Sequence, residues 1–326
     1  MAVGPNGAGK TNLLEALHVG TQGFSPRTRV DANLIRFGQT LARVAVGGAL
    51  ERGDATLEVR LQPSGKEVRL NDTVLPSLER LRAEVATLVF TPDRLALVKA
   101  GPAARRMYLD RTLARLFPAR APLPSEYAAA LTQRNAALRR VAAGLSSADV
   151  VRPWNERVGT IGRELTAARA LVVETLTDGF RERAGELGLD AARIEYAPSA
   201  VSSELLEELI ARDLERGTTG AGPHLDEVRI FAAARDLRSH GSQGEQRVAV
   251  LALLLAEADL LRESRRVPPL LLLDDVLSEL DGERRLALVS RIGAAGQVLV
   301  TATARGALPR EAAQVLEIGL GFARAA

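Results

Sequence analysis

The strongest constraint on the fold stands at the start of the chain, where Gly4-Pro-Asn-Gly-Ala-Gly-Lys-Thr11 matches G-x-x-x-x-G-K-[ST]. Loops of this type bind phosphate through backbone geometry. Their glycines let main-chain N–H groups converge on phosphate oxygens, and the helix that follows presents its positive end to the same point. Lys10 reaches the β- and γ-phosphates, and Thr11 can hold Mg²⁺. Gly4, Pro5, Asn6, Gly7, Ala8, Gly9, Lys10, Thr11 and Asn12 are therefore candidate nucleotide contacts, Lys10 being a candidate catalytic residue as well. The spacing of Leu13, Leu14, Ala16 and Leu17 predicts the helix. A strand must lead into the loop, yet only Met1, Ala2 and Val3 precede it.

Farther along, residues 42–90 alternate in short apolar runs broken at Gly53-Asp54, Pro63-Ser64-Gly65 and Asn71-Asp72, the pattern of a meander of hairpins. Beyond Lys99 strands are expected to stop. Residues 105–117, 126–145, 154–187 and 204–215 carry helical spacing, the third as one long helix or two joined ones. Sheet and helix patterning returns from Gly217, with a nearly continuous apolar helix over 246–261 and buried strands at 269–273 and 297–300. The expected organisation is α/β: residues 1–98 and 217–326 form one lobe, and 99–216 form an inserted helical lobe.

Three further motifs follow in order. Ser242-Gln-Gly-Glu-Gln-Arg247 opens the apolar helix; Ser242 and Gly244 either offer a helix N-terminus and a hydroxyl to phosphate, or simply cap the helix. Leu270-Leu-Leu-Leu-Asp274-Asp275 is a buried strand ending in two acids, which places Asp274 for metal and Asp275 for an attacking water. The alternative is a core strand that exits into solvent. Ser278-Glu-Leu-Asp281 either crosses a subunit interface or forms a plain turn.

Phosphate loop, signature, acidic strand and Asp281 loop, in this order, resemble an ABC-type (SMC-like) P-loop ATPase head. With LVFTPDRLALVKAGPAARRMYLD at 88–110, Gln133-Arg134-Asn135, Trp154 and LERGTTGAGPHLDEV, the chain resembles the RecF family of bacterial recombination mediators over essentially its whole length. The resemblance implies a cytoplasmic, weak DNA-stimulated ATPase that dimerises with ATP and Mg²⁺. It also implies recognition of gapped DNA or single-strand/duplex junctions, and work with RecO and RecR to help RecA load. Asp275 is by similarity the catalytic carboxylate, Thr11 and Asp274 the metal residues, Ser242, Gly244 and Asp281 nucleotide contacts, and Thr301 and Thr303 neighbours of the γ-phosphate. Relatives of this family place strands before the phosphate loop, so N-terminal strands are expected to be missing here. Leu225 replaces an expected arginine, and His240-Gly241 replaces an aromatic and a small residue. Two other readings share the motifs: another SMC-like head acting in DNA-end or chromosome maintenance, and an ATPase-deficient DNA-binding fragment.

Composition limits the alternatives. The chain has no cysteine, so disulfides and thiolate metal sites are excluded, and its three histidines lack metal-ligand spacing. No apolar run is long enough for a membrane span, so no membrane partner is expected. The net charge of +3 argues little, but its distribution is uneven: residues 99–169 carry +8 and 174–216 carry −6. Arg105, Arg106, Arg111, Arg134, Arg139 and Arg140 lie in the basic stretch and are candidate contacts to single- or double-stranded DNA, with Arg105 and Arg106 alternatively internal braces.

Overall fold

The computed structural model describes every residue except 29, 51–52, 279, 294–295, 309–311 and 326. Two compact units divide the chain, one of residues 1–94 with 258–326 and the other of 95–257.

The first unit opens with β1 (Ala2–Val3), the phosphate loop and α1 (Lys10–Gln22). The expected meander follows as β2 (Ala42–Leu50), β3 (Gly53–Gln62), β4 (Gly65–Leu70) and β5 (Thr73–Val74), antiparallel throughout. Asn71 and Asp72 adopt φ of 45° and 65°, the left-handed pair that a two-residue hairpin turn needs and that Asn and Asp tolerate. Leu57, Val59 and Leu61 of β3 are buried with Val68 of β4, Val19 of α1 and Leu81 of α2 (Leu78–Glu84). The first part of this unit ends on β6 (Thr87–Phe90), whose four residues are all buried.

The second unit contains α3 (Ala96–Lys99), α4 (Pro102–Leu116), α5 (Leu123–Ala142) and α6 (Arg152–Glu186), the last a single helix of 35 residues. Strands do not stop here. β7 (Ala192–Ala197) lies in the middle of the expected helical lobe, with Ala192 and Ile194 buried on alternate positions. After it come α7 (Ser203–Glu208) and α8 (Ile210–Arg216), two short helices where one was expected; the α run breaks at Leu209, which has φ −86° and ψ 0°. β8 (Glu227–Ala232), β9 (Arg235–Asp236), α9 (Leu237–His240) and α10 (Gln243–Arg265) complete the stretch, and the division between units falls inside α10. β7 pairs antiparallel with β8 from Ala192↔Ala232 to Ala197↔Glu227. That ladder ties residues on either side of Gly217 together, so 217–257, expected with the ATPase lobe, groups with the second unit.

Back in the first unit, β10 (Leu270–Leu273), α11 (Gly282–Ile292), β11 (Val298–Ala302), β12 (Leu316–Gly319) and β13 (Phe322–Ala325) finish the chain. The principal sheet has the order β13-β12-β1-β11-β10-β6, with all neighbours parallel except β12 and β13. Buried Leu14, Val89 and Leu272 pack α1 against this sheet. The strand that carries the phosphate loop is therefore Ala2–Val3, seated between β11 and β12 and buried with Met1. Parallel order brings the C-terminal ends of β1, β10 and β11 to one edge, where open α/β sheets bind ligands. Among the described residues no helix is long and apolar enough to cross a membrane.

Candidate active site

At that edge the phosphate loop turns on glycines. Gly7 and Gly9 have φ of 81° and 104°, a region closed to most side chains. α1 then starts on Gly9 without a side-chain cap and without an acidic residue in its first turn. Most helices satisfy their first N–H groups with Ser, Thr, Asp or Asn. Here those donors and the positive helix end are left for an anion. Lys10, 8% exposed, folds over the loop and donates from Nζ to Gly4 O at 2.7 Å and Pro5 O at 3.0 Å.

Residues from two strand ends and the first turn of α1 meet beside the loop. Thr11 Oγ1 donates to Asp274 Oδ2 at 2.8 Å, and Thr301 Oγ1 donates to Asp274 Oδ1 at 2.7 Å. The Asp275 N–H in turn donates to Thr301 Oγ1 at 2.9 Å. Thr301 is fully buried and holds both aspartates in register, a positioning part, whereas Thr303 is exposed. Asp275 adopts φ 48°, uncommon for a residue with a side chain, and among the described residues nothing hydrogen-bonds its carboxylate. A cleft is lined by Asn6, Gly7, Gly9, Lys10, Thr11, Asn12, Arg27, Asp274 and Asp275. The hydroxyl of Thr11 and the carboxylate of Asp274 are hard oxygen donors already in contact, a set that suits Mg²⁺ completed by phosphate oxygens and water. Among the described residues there is no cluster of three or more His, Cys, Asp or Glu that could hold a metal ion.

Arg27 lines the cleft although it lies outside all the sequence motifs. It sits beyond α1, and its guanidinium donates to Glu15 Oε2 at 3.1 Å. Ser25, whose hydroxyl also bonds Glu15, turns the chain there by accepting from the backbone N–H groups of Arg27 and Thr28. Only its position in a Ser-Pro-Arg-Thr turn soon after the phosphate-loop helix distinguishes it in the sequence.

Ser242 and Asp281 do cap helices. The Ser242 hydroxyl accepts from the Glu245 N–H at 3.2 Å while the Glu245 carboxylate accepts from the Ser242 N–H at 2.8 Å, a reciprocal capping box at the start of α10. That backbone donor, then Arg235, holds the Glu245 carboxyl below its usual range. Asp281 Oδ1 accepts from the Arg284 N–H at 2.9 Å and caps α11. Ser242 and Asp281 are nonetheless exposed, and Gly244 half-buried. Capping orients a helix end and leaves it available to another molecule.

The arginines expected on DNA separate into two groups. Arg134 has 0% exposure and donates to Asn155 Oδ1, Asp213 Oδ2, Thr219 Oγ1 and Leu206 O. Arg105, 3% exposed, grips Glu227 Oε1 with two donors and bonds Val98 O and Ala100 O. Neither can reach a phosphate, and both are corrected here to internal braces. Arg106 is half-buried and donates to Asp226 O at 2.7 Å, which makes it a third brace. Arg111 is half-buried and already engaged within the protein. Arg139 and Arg140, in the last turn of α5, are exposed, and the Arg139 guanidinium donates to Gly217 O at 3.5 Å. The GPHLDE stretch is likewise structural: His224 Nε2 donates to Thr219 O and its Nδ1 accepts from Tyr127, while Leu225 is 50% exposed.

A parallel sheet with a phosphate loop, a Thr-Asp pair and a second aspartate at one edge, and a long helical second unit, defines an ABC-type ATPase head of the SMC-like class. The RecF/RecN/SMC N terminal domain family model matches residues 1–320. "DNA replication and repair protein RecF" of Heliobacterium modesticaldum is 34% identical over 316 residues, covering 92% of this chain and 85% of that protein. Its counterpart in Frankia alni is 36% identical, covering 95% and 88%. A solved structure of the recombination mediator protein RecF-ATP in the RecFOR pathway superposes with a TM-score of 0.90 at 26% identity, covering 100% of this chain and 90% of that one. An Smc head domain from Pyrococcus furiosus shares the fold at a TM-score of 0.56 and 17% identity. The chain belongs to the RecF family.

Proposed function

We propose that the chain is an ATP-dependent DNA-binding ATPase that recognises gapped DNA or single-strand/duplex junctions in DNA repair. On this reading it acts in the cytoplasm with RecO and RecR to help RecA load. One observation carries the nucleotide half: α1 begins without any internal cap exactly where Lys10, Thr11, Asp274 and Asp275 converge. The β- and γ-phosphates of ATP satisfy the free N–H groups of α1, and Lys10 neutralises their charge. Thr11 and Asp274 would hold Mg²⁺, which would supply charge neutralisation at the phosphates. Asp275, which lines the same cleft as Thr11 and Asp274, orients the attacking water. Arg27 supplies a further positive group at the cleft wall.

Ser242 and Asp281, both exposed, complete the site from a second copy, so ATP joins two chains and hydrolysis releases them. Arg139 and Arg140 contribute charge to DNA, consistent with sequence-independent phosphate contact. The name of the RecF relatives and the ATP complex of the solved RecF support this reading. Its test is Lys10→Arg, which is expected to weaken ATP-driven dimerisation and gapped-DNA binding together in sedimentation and anisotropy measurements. Full dimerisation of that variant with ATP overturns the proposal.

A further inference from the structure

Phe37 is the most exposed large apolar side chain among the described residues, at 103% of its reference area. Its setting is a built one. Leu34 and Ile35 pack against the core formed by Val19, Leu57, Val59, Leu61, Val68 and Leu81, which pins the segment at its base. The chain then makes a hydrogen-bonded turn, with the Gln39 N–H donating to Arg36 O at 2.9 Å and Gly38 at φ 80°. A left-handed glycine in the third position marks a type II turn, whose second position, here Phe37, projects outward. A fixed turn thus displays a bare aromatic ring, which costs an apolar exposure that folding does not require.

The surroundings select the ligand. From Ala32 to Leu50 the sequence contains no acidic residue, and Arg36, exposed and without a side-chain partner among the described residues, directly precedes Phe37 in the chain. Gln39 and Thr40 on the other side are polar and exposed. A fully exposed ring, preceded in the chain by an exposed arginine, matches the two parts of an unpaired nucleotide, a base that stacks and a phosphate that pairs.

We infer that Phe37 stacks on an unpaired base of single-stranded or gapped DNA while Arg36 contacts the adjacent phosphate. The assignment rests on the DNA-binding function proposed above and deepens it, because it names the feature that separates unpaired strand from duplex.

The experiment compares Phe37→Ala, Phe37→Trp and Arg36→Gln with the parent chain. Affinities for an oligo-dT strand, a gapped duplex and a blunt duplex are measured with ATP and Mg²⁺, and ATP-driven dimerisation is measured without DNA. Phe37→Ala is expected to lose about tenfold in affinity for oligo-dT and the gapped duplex, the worth of one stacked base, and to keep its affinity for the blunt duplex and for ATP. Phe37→Trp retains binding, and its fluorescence is quenched by oligo-dT. Arg36→Gln weakens all DNA binding and lowers the salt slope by about one. Unchanged oligo-dT affinity in Phe37→Ala overturns the inference, as does a loss of DNA-free dimerisation, which makes the turn a contact between copies. A parent chain that binds neither oligo-dT nor gapped duplex defeats the proposed DNA function itself, a result read from the parent and not from the variants.

Discussion

Arg134→Met tests the reassignment of a basic residue from DNA contact to internal brace. Arg134 and Asp213 each have 0% side-chain exposure, and their N–O distance is 2.7 Å. Removing the guanidinium leaves Asp213 as a buried carboxylate without its counter-charge, and strips one donor each from Asn155, Thr219 and the Leu206 carbonyl. Breaking a fully buried pair from one side costs about 3–5 kcal/mol, because the remaining charge keeps its desolvation penalty and loses its partner. For a unit of this size that is a fall of about 6–20 °C in melting temperature. Adding Asp213→Asn to the same chain is expected to recover part of the loss, since no lone charge then remains, although the Gly220 N–H still relies on the side-chain oxygen that Asp213 presents at 3.0 Å. Thermal melts by circular dichroism read these effects. An Arg134→Met chain that melts within about 2 °C of the parent, and whose log affinity for DNA depends on log salt with a slope reduced by about one, refutes the brace and restores the phosphate contact.

Three other changes probe the site and its supports. Asp275→Asn is expected to lower ATP turnover by about 10²–10⁴-fold with ATP affinity retained, as measured by single-turnover hydrolysis beside nucleotide titration; equal turnover removes Asp275 from the chemistry. Ser242→Asp preserves a good helix cap and so keeps the melting temperature, while Ser242→Ala loses about 1 kcal/mol; yet Ser242→Asp abolishes ATP-driven dimerisation by placing a negative charge at the end of α10, and normal dimerisation in that variant reduces Ser242 to a cap. His224 is pushed below its ordinary pKa of 6.5 chiefly by burial, so the unfolded chain takes up its proton first as pH falls. Stability from this residue is complete above about pH 6.5 and declines below it, and the melting temperature of the parent is expected to drop more between pH 7.5 and 5.5 than that of His224→Asn.

Much of the first unit was legible because its signals are local. Leu57, Val59 and Leu61 alternate along one strand, Asn71-Asp72 marks a tight turn, and the phosphate loop dictates both its glycine conformations and the helix behind it. The second unit was harder. β7 carries Ala192, Ile194 and Tyr196 at period two, but six residues after a long helix give a weak pattern, and what makes them a strand is the ladder to β8, formed by residues 30 to 40 positions later. The same ladder moved residues 217–257 into the second unit. Pairing of this range is decided by tertiary partners that no window of sequence contains.

The site divides along the same line. Roles that follow from backbone geometry, such as the bare N-terminus of α1, are written in the motif, whereas the roles of arginines depend on partners far away. Arg134 meets Asp213 across 79 positions, and Arg169 meets Asp110 and Asp226 across 59 and 57. A stretch with a net charge of +8 therefore says little about surface potential when several of its arginines meet carboxylates inside the fold. Arg134, in the basic stretch, is neutralised by Asp213, in the acidic one. The asymmetry that suggested a nucleic-acid face is in part the record of an internal pairing between two segments. The proposed DNA contacts are exposed instead: Arg139 and Arg140 at the end of α5, and Arg36 with its chain neighbour Phe37, a ring that the overall aromatic content of 3% gave no reason to single out.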